Sequence, residues 1–155
     1  LQGMALICGF YLNELLIRLL HRDDPHEQLF DYYQDTLSAL NTQQDYTPIL
    51  RQFERRMLIE LGYALTLNED AASGKPLNSD EEYCYEVERG PIVANGKDGS
   101  SCPRLRGKTL LDMEKNDYAD TVTRQQSKVL MRYILGHYLG EKPLYSRQLL
   151  GVIQT

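Results

Sequence analysis

Thr47-Pro48-Ile49-Leu50-Arg51-Gln52-Phe53-Glu54-Arg55-Arg56-Met57-Leu58-Ile59-Glu60-Leu61-Gly62 is the stretch on which the fold turns. Threonine followed by proline opens a helix, because the hydroxyl caps a free amide and proline suits the first turn. Ile49, Leu50, Phe53, Met57, Leu58 and Leu61 recur at the spacing of one helical face and predict a buried stripe. Arg51, Gln52, Glu54, Arg55 and Arg56 fall on the other face. Gly62 stands where a helix needs a left-handed residue to stop.

Upstream, the spacing predicts a helix from Met4 to His21 that is apolar on more than one face, as suits a helix surrounded by others. Asp24 as cap, Pro25 in the first turn and Glu27 in a box-like position predict the start of a second helix. Leu29, Phe30, Tyr33, Leu37 and Leu40 form its apolar face, and 41–46 is a polar linker. Downstream of Leu67 the helical period is lost as far as Leu105. Within that segment, 83–87 and 92–94 read as two short strands about a turn near Arg89-Gly90-Pro91. Helical pattern returns at 109–113 and from Asp120 to Leu139, with Val122, Val129, Leu130, Tyr133, Ile134 and His137 towards the core. A short helix from Ser146 to about Ile153 closes the chain. The expectation is a mainly α, helical bundle-like domain over 1–155 with a small inserted β-hairpin module at 68–105.

At 155 residues, 42% hydrophobic and 25% charged, the composition is that of an ordinary globular domain. The apolar run from Met4 to Leu12 has no basic leader and is interrupted by Asn13, Glu14 and Arg18. A membrane helix needs about 20 nearly uninterrupted apolar residues, so a buried helix is expected and no membrane partner. The first residue is Leu1 and not methionine, which suggests a piece of a longer protein whose N-terminal part carries some of the function. Cys8, Cys84 and Cys102 are odd in number and widely spaced, and read as free thiols in a reducing cytosol.

Chemistry is sparse. Gly107-Lys108-Thr109 lacks the glycine of a phosphate loop, the position being Cys102, and reads instead as a loop ending in Thr109 as a helix cap. His21, His26 and His137 are scattered without zinc-ligand spacing, and no Gly-x-Ser-x-Gly is present. His137 reads as a hydrogen-bonded core residue, and Asp23-Asp24 and Glu81-Glu82 as solvated charge. No enzyme is predicted. Net charge is −5, which disfavours a wholly basic nucleic-acid binder but leaves room for a local patch. Arg124, Lys128 and Arg132 follow at i, i+4 among the bases of the C-terminal part, which include Arg147. Such a stripe either tracks a phosphate backbone or is an ordinary solvated face. Arg51 and Arg55, flanked by Leu50 and Leu58, suit an acidic peptide with an apolar end; the alternative is that Arg55 simply pairs with Glu54 or Glu60.

Six segments taken together resemble the C-terminal region of the bacterial recombination mediator family RecO. They are 9–16 (GFYLNELL), 29–33 (LFDYY), 50–54 (LRQFE), 61–63 (LGY), 140–144 (GEKPL) and 146–147 (SR), in order across nearly the whole chain. The resemblance implies a helical domain that follows an N-terminal oligonucleotide-binding barrel and acts without catalysis in DNA repair and recombination in the cytoplasm, at the nucleoid during repair. It implies as partners the acidic, phenylalanine-terminated tail of single-strand-binding protein, RecR, and single- and double-stranded DNA, with strand annealing and RecA loading as outcomes. The family's Leu-Arg-x-Phe-Glu arginine falls on Arg51, with Arg55 and Leu58 added from helical spacing as tail contacts. Arg124, Lys128, Arg132 and Arg147 are the expected DNA contacts; a nucleic-acid-binding module working mainly through that face is the alternative. Many relatives carry a zinc module beginning Cys-x-x-Cys-Gly. Here that knuckle is Asp70-Ala71-Ala72-Ser73-Gly74 and the second pair has at most Cys102, so the module is expected to be degenerate, zinc-ribbon-like and without cofactor.

Overall fold

The computed structural model describes residues 2–20, 24–96, 101–140 and 142–153, with backbone alone for 150–153. Six helices and three strands are present among them: α1 Gly3–Leu19, α2 Glu27–Thr42, α3 Tyr46–Glu60, β1 Glu82–Glu86, β2 Gly90–Val93, β3 Arg104–Arg106, α4 Gly107–Glu114, α5 Thr121–Leu139 and α6 Tyr145–Ile153. The mainly helical fold with a small β module is as the sequence predicts. The chain divides into two compact units, Leu1–Gly62 with Tyr138–Thr155, and Tyr63–His137.

In the first unit α1 packs against α2, α3 and α6, and α2 packs against α3. Cys8, Leu12, Leu15, Leu29, Leu40, Phe53, Met57 and Leu58 are buried there. Apolar side chains on three helices thus leave water together, the dominant stabilising term in folding. Tyr32 stacks on Phe53 with ring centroids 6.0 Å apart, and Tyr33 meets the same ring tilted at 6.1 Å. α3 stops where expected: Gly62 has φ +88°, which a side-chain-bearing residue adopts only at a cost.

Two helix starts differ from expectation. His26 and not Asp24 precedes α2, so Pro25 lies outside the helix. Asp45 and not Thr47 caps α3, its carboxylate accepting the Thr47 amide at 3.4 Å. An acid two residues ahead of the threonine took the cap, and Pro48 still falls within the first turn. Phe30, expected in the core, is 53% exposed. Part of the first-helix prediction, at His21, lies outside the described residues.

In the second unit the sheet order is β2-β1-β3, antiparallel throughout, with Cys84 opposite Ile92 on one side and Arg104 on the other. β1 buries Tyr83, Cys84 and Tyr85 in succession, as a central strand covered on both faces does. The hairpin turn is 87–89, with Glu88 at φ +69°, so Gly90 and Pro91 belong to β2 and not to the turn. Pro91 sits on an edge strand, where its missing N–H costs nothing. The third strand was not expected, since 103–106 reads as loop. It ends directly in α4, whose Gly107 and Lys108 amides donate to the Glu81 and Ser79 carbonyls at 2.7 and 3.1 Å. Thr109 is accordingly no cap; it is buried and its hydroxyl donates to Gln126 at 2.6 Å.

The cysteines also need correction. Cys84 and Cys102 form a disulfide with Cα atoms 5.7 Å apart, and only Cys8 is free. Because β3 lies beside β1, Cys102 returns alongside Cys84 although 18 residues separate them. That proximity is set by sheet pairing and is invisible in the spacing.

Candidate macromolecule-binding surfaces

Arg51 lies on α3 but does not face solvent. It is 7% exposed, and Glu54 one turn on is 1% exposed. The two pair across the turn, with Arg51 Nε 2.6 Å from Glu54 Oε1 and Arg51 Nη2 donating to Glu54 Oε2 at 3.4 Å. The Nε–H is not aligned on the oxygen, so the closer approach is a charge contact more than a hydrogen bond. Tyr11 of α1 completes the group by donating its hydroxyl to Glu54 Oε2. Burial first, and the Glu54 charge second, hold the Tyr11 phenol well above its ordinary value, so it remains the donor. Arg147 of α6 also acts on that phenol, which places it near the same cluster. Cys8 lies close by; burial pushes its thiol up to about 11 against the pull of Arg51, and keeps it protonated.

The arginines that follow are more open. Arg56 lies over the Tyr32 ring at 5.6 Å and pairs with Glu60 at 3.4 Å. Burial raises the Tyr32 phenol while Arg56 and Arg55 oppose the rise, so both guanidiniums stand near it. Arg55 is half-buried. Leu58 has no exposed surface, so it backs α3 from inside the core and offers no face to a partner. Of the three expected tail contacts on α3, Arg51 and Leu58 are buried and Arg55 is half-buried, so they do not form one open face. Tyr11 and Glu54 were missed as members of the cluster, and no local signal joins residues 43 apart in sequence.

On α5 the buried side is Thr123, Ser127, Leu130, Met131, Ile134 and Leu135. Val122 and Val129, expected inside, are 36% and 56% exposed, and the His137 side chain is half-exposed, 3.9 Å from Glu88. Small hydroxyls replace the valines because each finds a partner. Thr123 Oγ1 donates to Asp112 at 2.7 Å and Ser127 Oγ to the Arg124 carbonyl at 3.1 Å. Lys128 and Arg132 are exposed, and half-buried Arg124 donates to the Tyr118 carbonyl at 3.3 Å. The three remain on one face of α5, whereas Arg147 belongs to the other unit.

The residues at the zinc-module positions do not fit the metal. Asp70 is engaged in its own turn, its carboxylate accepting the Ala72 amide at 2.8 Å and its carbonyl the Gly74 amide at 2.7 Å. Cys102 is tied to Cys84. Among the described residues no three His, Cys, Asp or Glu side chains converge as a metal-holding group, and no helix is long and apolar enough to cross a membrane.

Comparison with known proteins gives a coherent set of relatives. The family model for "Recombination protein O C terminal" matches residues 2–148. A protein of Nitrosospira multiformis named DNA repair protein RecO is 62% identical over 99% of this chain and 64% of its own length. Proteins of the same name from Aromatoleum aromaticum and Azoarcus sp. are 46% and 45% identical, over 99% and 97% of this chain. The chain spans 64%, 64% and 63% of these three relatives' lengths.

Proposed function

The chain belongs to the recombination protein O C-terminal family, and from that membership we propose that it is a non-enzymatic mediator domain of DNA repair and recombination. It works in the cytoplasm, with RecR and DNA as partners of the whole protein, and takes up the acidic, phenylalanine-terminated tail of single-strand-binding protein. Strand annealing and RecA loading follow from that recruitment. The segment 68–105 persists as a zinc-free counterpart of the relatives' metal module, closed by the Cys84–Cys102 bond and by hydrogen bonds within the 70–74 turn.

The observation that carries the tail-binding reading is the cationic and aromatic group on α2 and α3. Arg55 and Arg56 stand by Tyr32, and Arg51 on the same helix is held by Glu54. Guanidinium groups answer the tail's carboxylates, and the exposed side of Tyr32 answers its ring. Arg51, buried with Glu54, and Leu58, buried in the core, take part by fixing α3 and with it Arg55 and Arg56.

Burial changes how this is tested. Removing one member of a buried ion pair costs about 3–5 kcal/mol, so Arg51→Ala lowers stability as well as binding. Fluorescence anisotropy of a labelled tail peptide is therefore read for Arg55→Ala beside Arg51→Ala, with thermal melts of both. Micromolar binding that Arg55→Ala weakens about tenfold without a change in melting supports the site. Unaltered binding by Arg55→Ala, or none by the intact chain, overturns it.

The second reading rests on exposed Lys128 and Arg132 along one face of α5. If DNA is held there, affinity falls steeply with salt, by a slope of about 0.7 per phosphate neutralised on a single strand. Lys128→Ala with Arg132→Ala then flattens the slope by one to two phosphates' worth.

A further inference from the structure

A groove of about 430 Å³ lies between α1 and α2 in the first unit, walled by Leu16, Ile17, Leu20, Phe30 and Tyr33, with Asp24 at its polar edge. Ile17 is 71% exposed and Phe30 53%. Large apolar side chains left this open at a concave site mark a recognition surface more often than chance. On α1 the apolar strip continues, since Leu6 and Phe10 share the helical face of Ile17 and are also exposed. Tyr11, which meets the Arg51–Glu54 pair, points from a different side of α1 and is buried. The groove thus lies on a different side of α1 from the Tyr11–Glu54–Arg51 cluster.

Charge identifies the occupant. α2 carries Glu27, Asp31 and Asp35 at i, i+4 and i+8 and no lysine or arginine, and all three are exposed. Asp24 lines the groove, and Glu27 and Asp31 lie within one helical turn of Phe30 on the side of α2 away from Tyr33. Near the groove, the Arg18 guanidinium is turned away onto the Leu139 and Pro143 carbonyls at 3.0 and 3.3 Å. Acids along the α2 side of an apolar floor repel an acidic tail and an anionic membrane surface alike. It favours an apolar ridge flanked by lysine or arginine.

We propose that the α1–α2 groove docks a basic amphipathic helix of a partner protein, its apolar residues on Ile17, Phe30 and Tyr33 and its cations on Asp24, Glu27 and Asp31. The inference goes beyond the tail-binding reading and stands if that reading fails. Helix-in-groove recognition uses anchors at i, i+3 or i+4 and i+7, which the strip on α1 is long enough to receive.

The test is a titration of the chain with a fluorescein-labelled amphipathic helix of leucine and lysine, roughly 14 residues long, followed by anisotropy. A leucine–glutamate peptide of the same pattern serves as control, and amide chemical shifts report the site. The expected result is binding of the lysine peptide alone, with shifts at Asn13, Ile17, Asp24 and Phe30. Ile17→Ser and Phe30→Ser each weaken it about tenfold, as loss of a central anchor does. Both side chains are exposed, so the variants should melt as the parent does. Glu27→Gln with Asp31→Asn weakens binding and flattens its salt dependence, whereas Glu81→Gln in the other unit changes nothing. Equal binding of the glutamate peptide, or serine variants without effect, overturns the proposal. So does sedimentation showing that the chain self-associates and that Phe30→Ser dissolves the dimer, because the occupant is then a second copy.

Discussion

Glu14 acts far from its own helix end. Its carboxylate accepts the Tyr145 and Ser146 amides at 2.9 and 3.0 Å and the Ser146 hydroxyl at 2.7 Å, and so caps α6 from α1. Burial pushes this carboxyl up, but the Ser146 and Tyr145 hydrogen bonds outweigh it and hold it below the ordinary 4.5. A carboxyl whose value is lowered by folding contributes stability that is present above its unfolded value and lost as pH falls through the folded one. Glu14→Gln should therefore melt about 2–4 °C lower than the parent at pH 7, as loss of a cap worth about 1 kcal/mol does. The gap should close as pH falls through the lowered folded value, once the parent carboxyl is itself protonated. A gap of the same size above and below that value would show that shape, not charge, holds α6. Neither this contact nor the Tyr11–Glu54–Arg51 group was legible in the sequence. In the sequence Arg51 is a tail contact and Glu54 only a partner offered to Arg55, and the Tyr11 that joins them lies 43 residues from Glu54.

Among the elements, α1, α3, the hairpin and α6 were legible because an apolar period, a glycine stop or paired short strands mark each one locally. The orientation of α5 was not. Valine reads as core, yet Val129 is exposed while Ser127 is buried and bonded back to its own helix. β3 was missed because three residues give no period, and it exists only by pairing with β1. The junction of β3 with α4 is the tightest point described. A Cβ on Gly107 would lie 1.9 Å from the Asn78 carbonyl oxygen and 2.8 Å from its carbon, both backbone atoms that cannot swing aside. Gly107→Ala should thus cost about 2–3 kcal/mol or more in urea unfolding, at the upper end for overpacking. An alanine variant within about 0.5 kcal/mol of the parent would mean that the 78–83 turn yields and is not the rigid cap of α4 that it looks to be.

At the scale of the whole molecule the family was legible, since short segments in a fixed order carry it, and the disulfide was not. The Cys84–Cys102 bond closes a loop across 18 positions, and a link of that span stabilises by about 3 kcal/mol through the unfolded chain. Reduction with dithiothreitol should lower the stability of the second unit by about 2–3 kcal/mol in urea and leave the first unit's transition in place. Identical unfolding curves with and without reductant, for protein shown by mass to have lost the bond, would remove it from the stabilising interactions. The capping of α6 by Glu14 has a consequence in time as well as in energy. The first unit is interrupted in sequence, its two parts separated by the seventy-five residues of the second. A ribosome makes the chain from one end, so Glu14 emerges early and waits through the synthesis of 63–137 before Ser146 exists to meet it. The uninterrupted unit has all its partners first, and the unit started before it is completed after it.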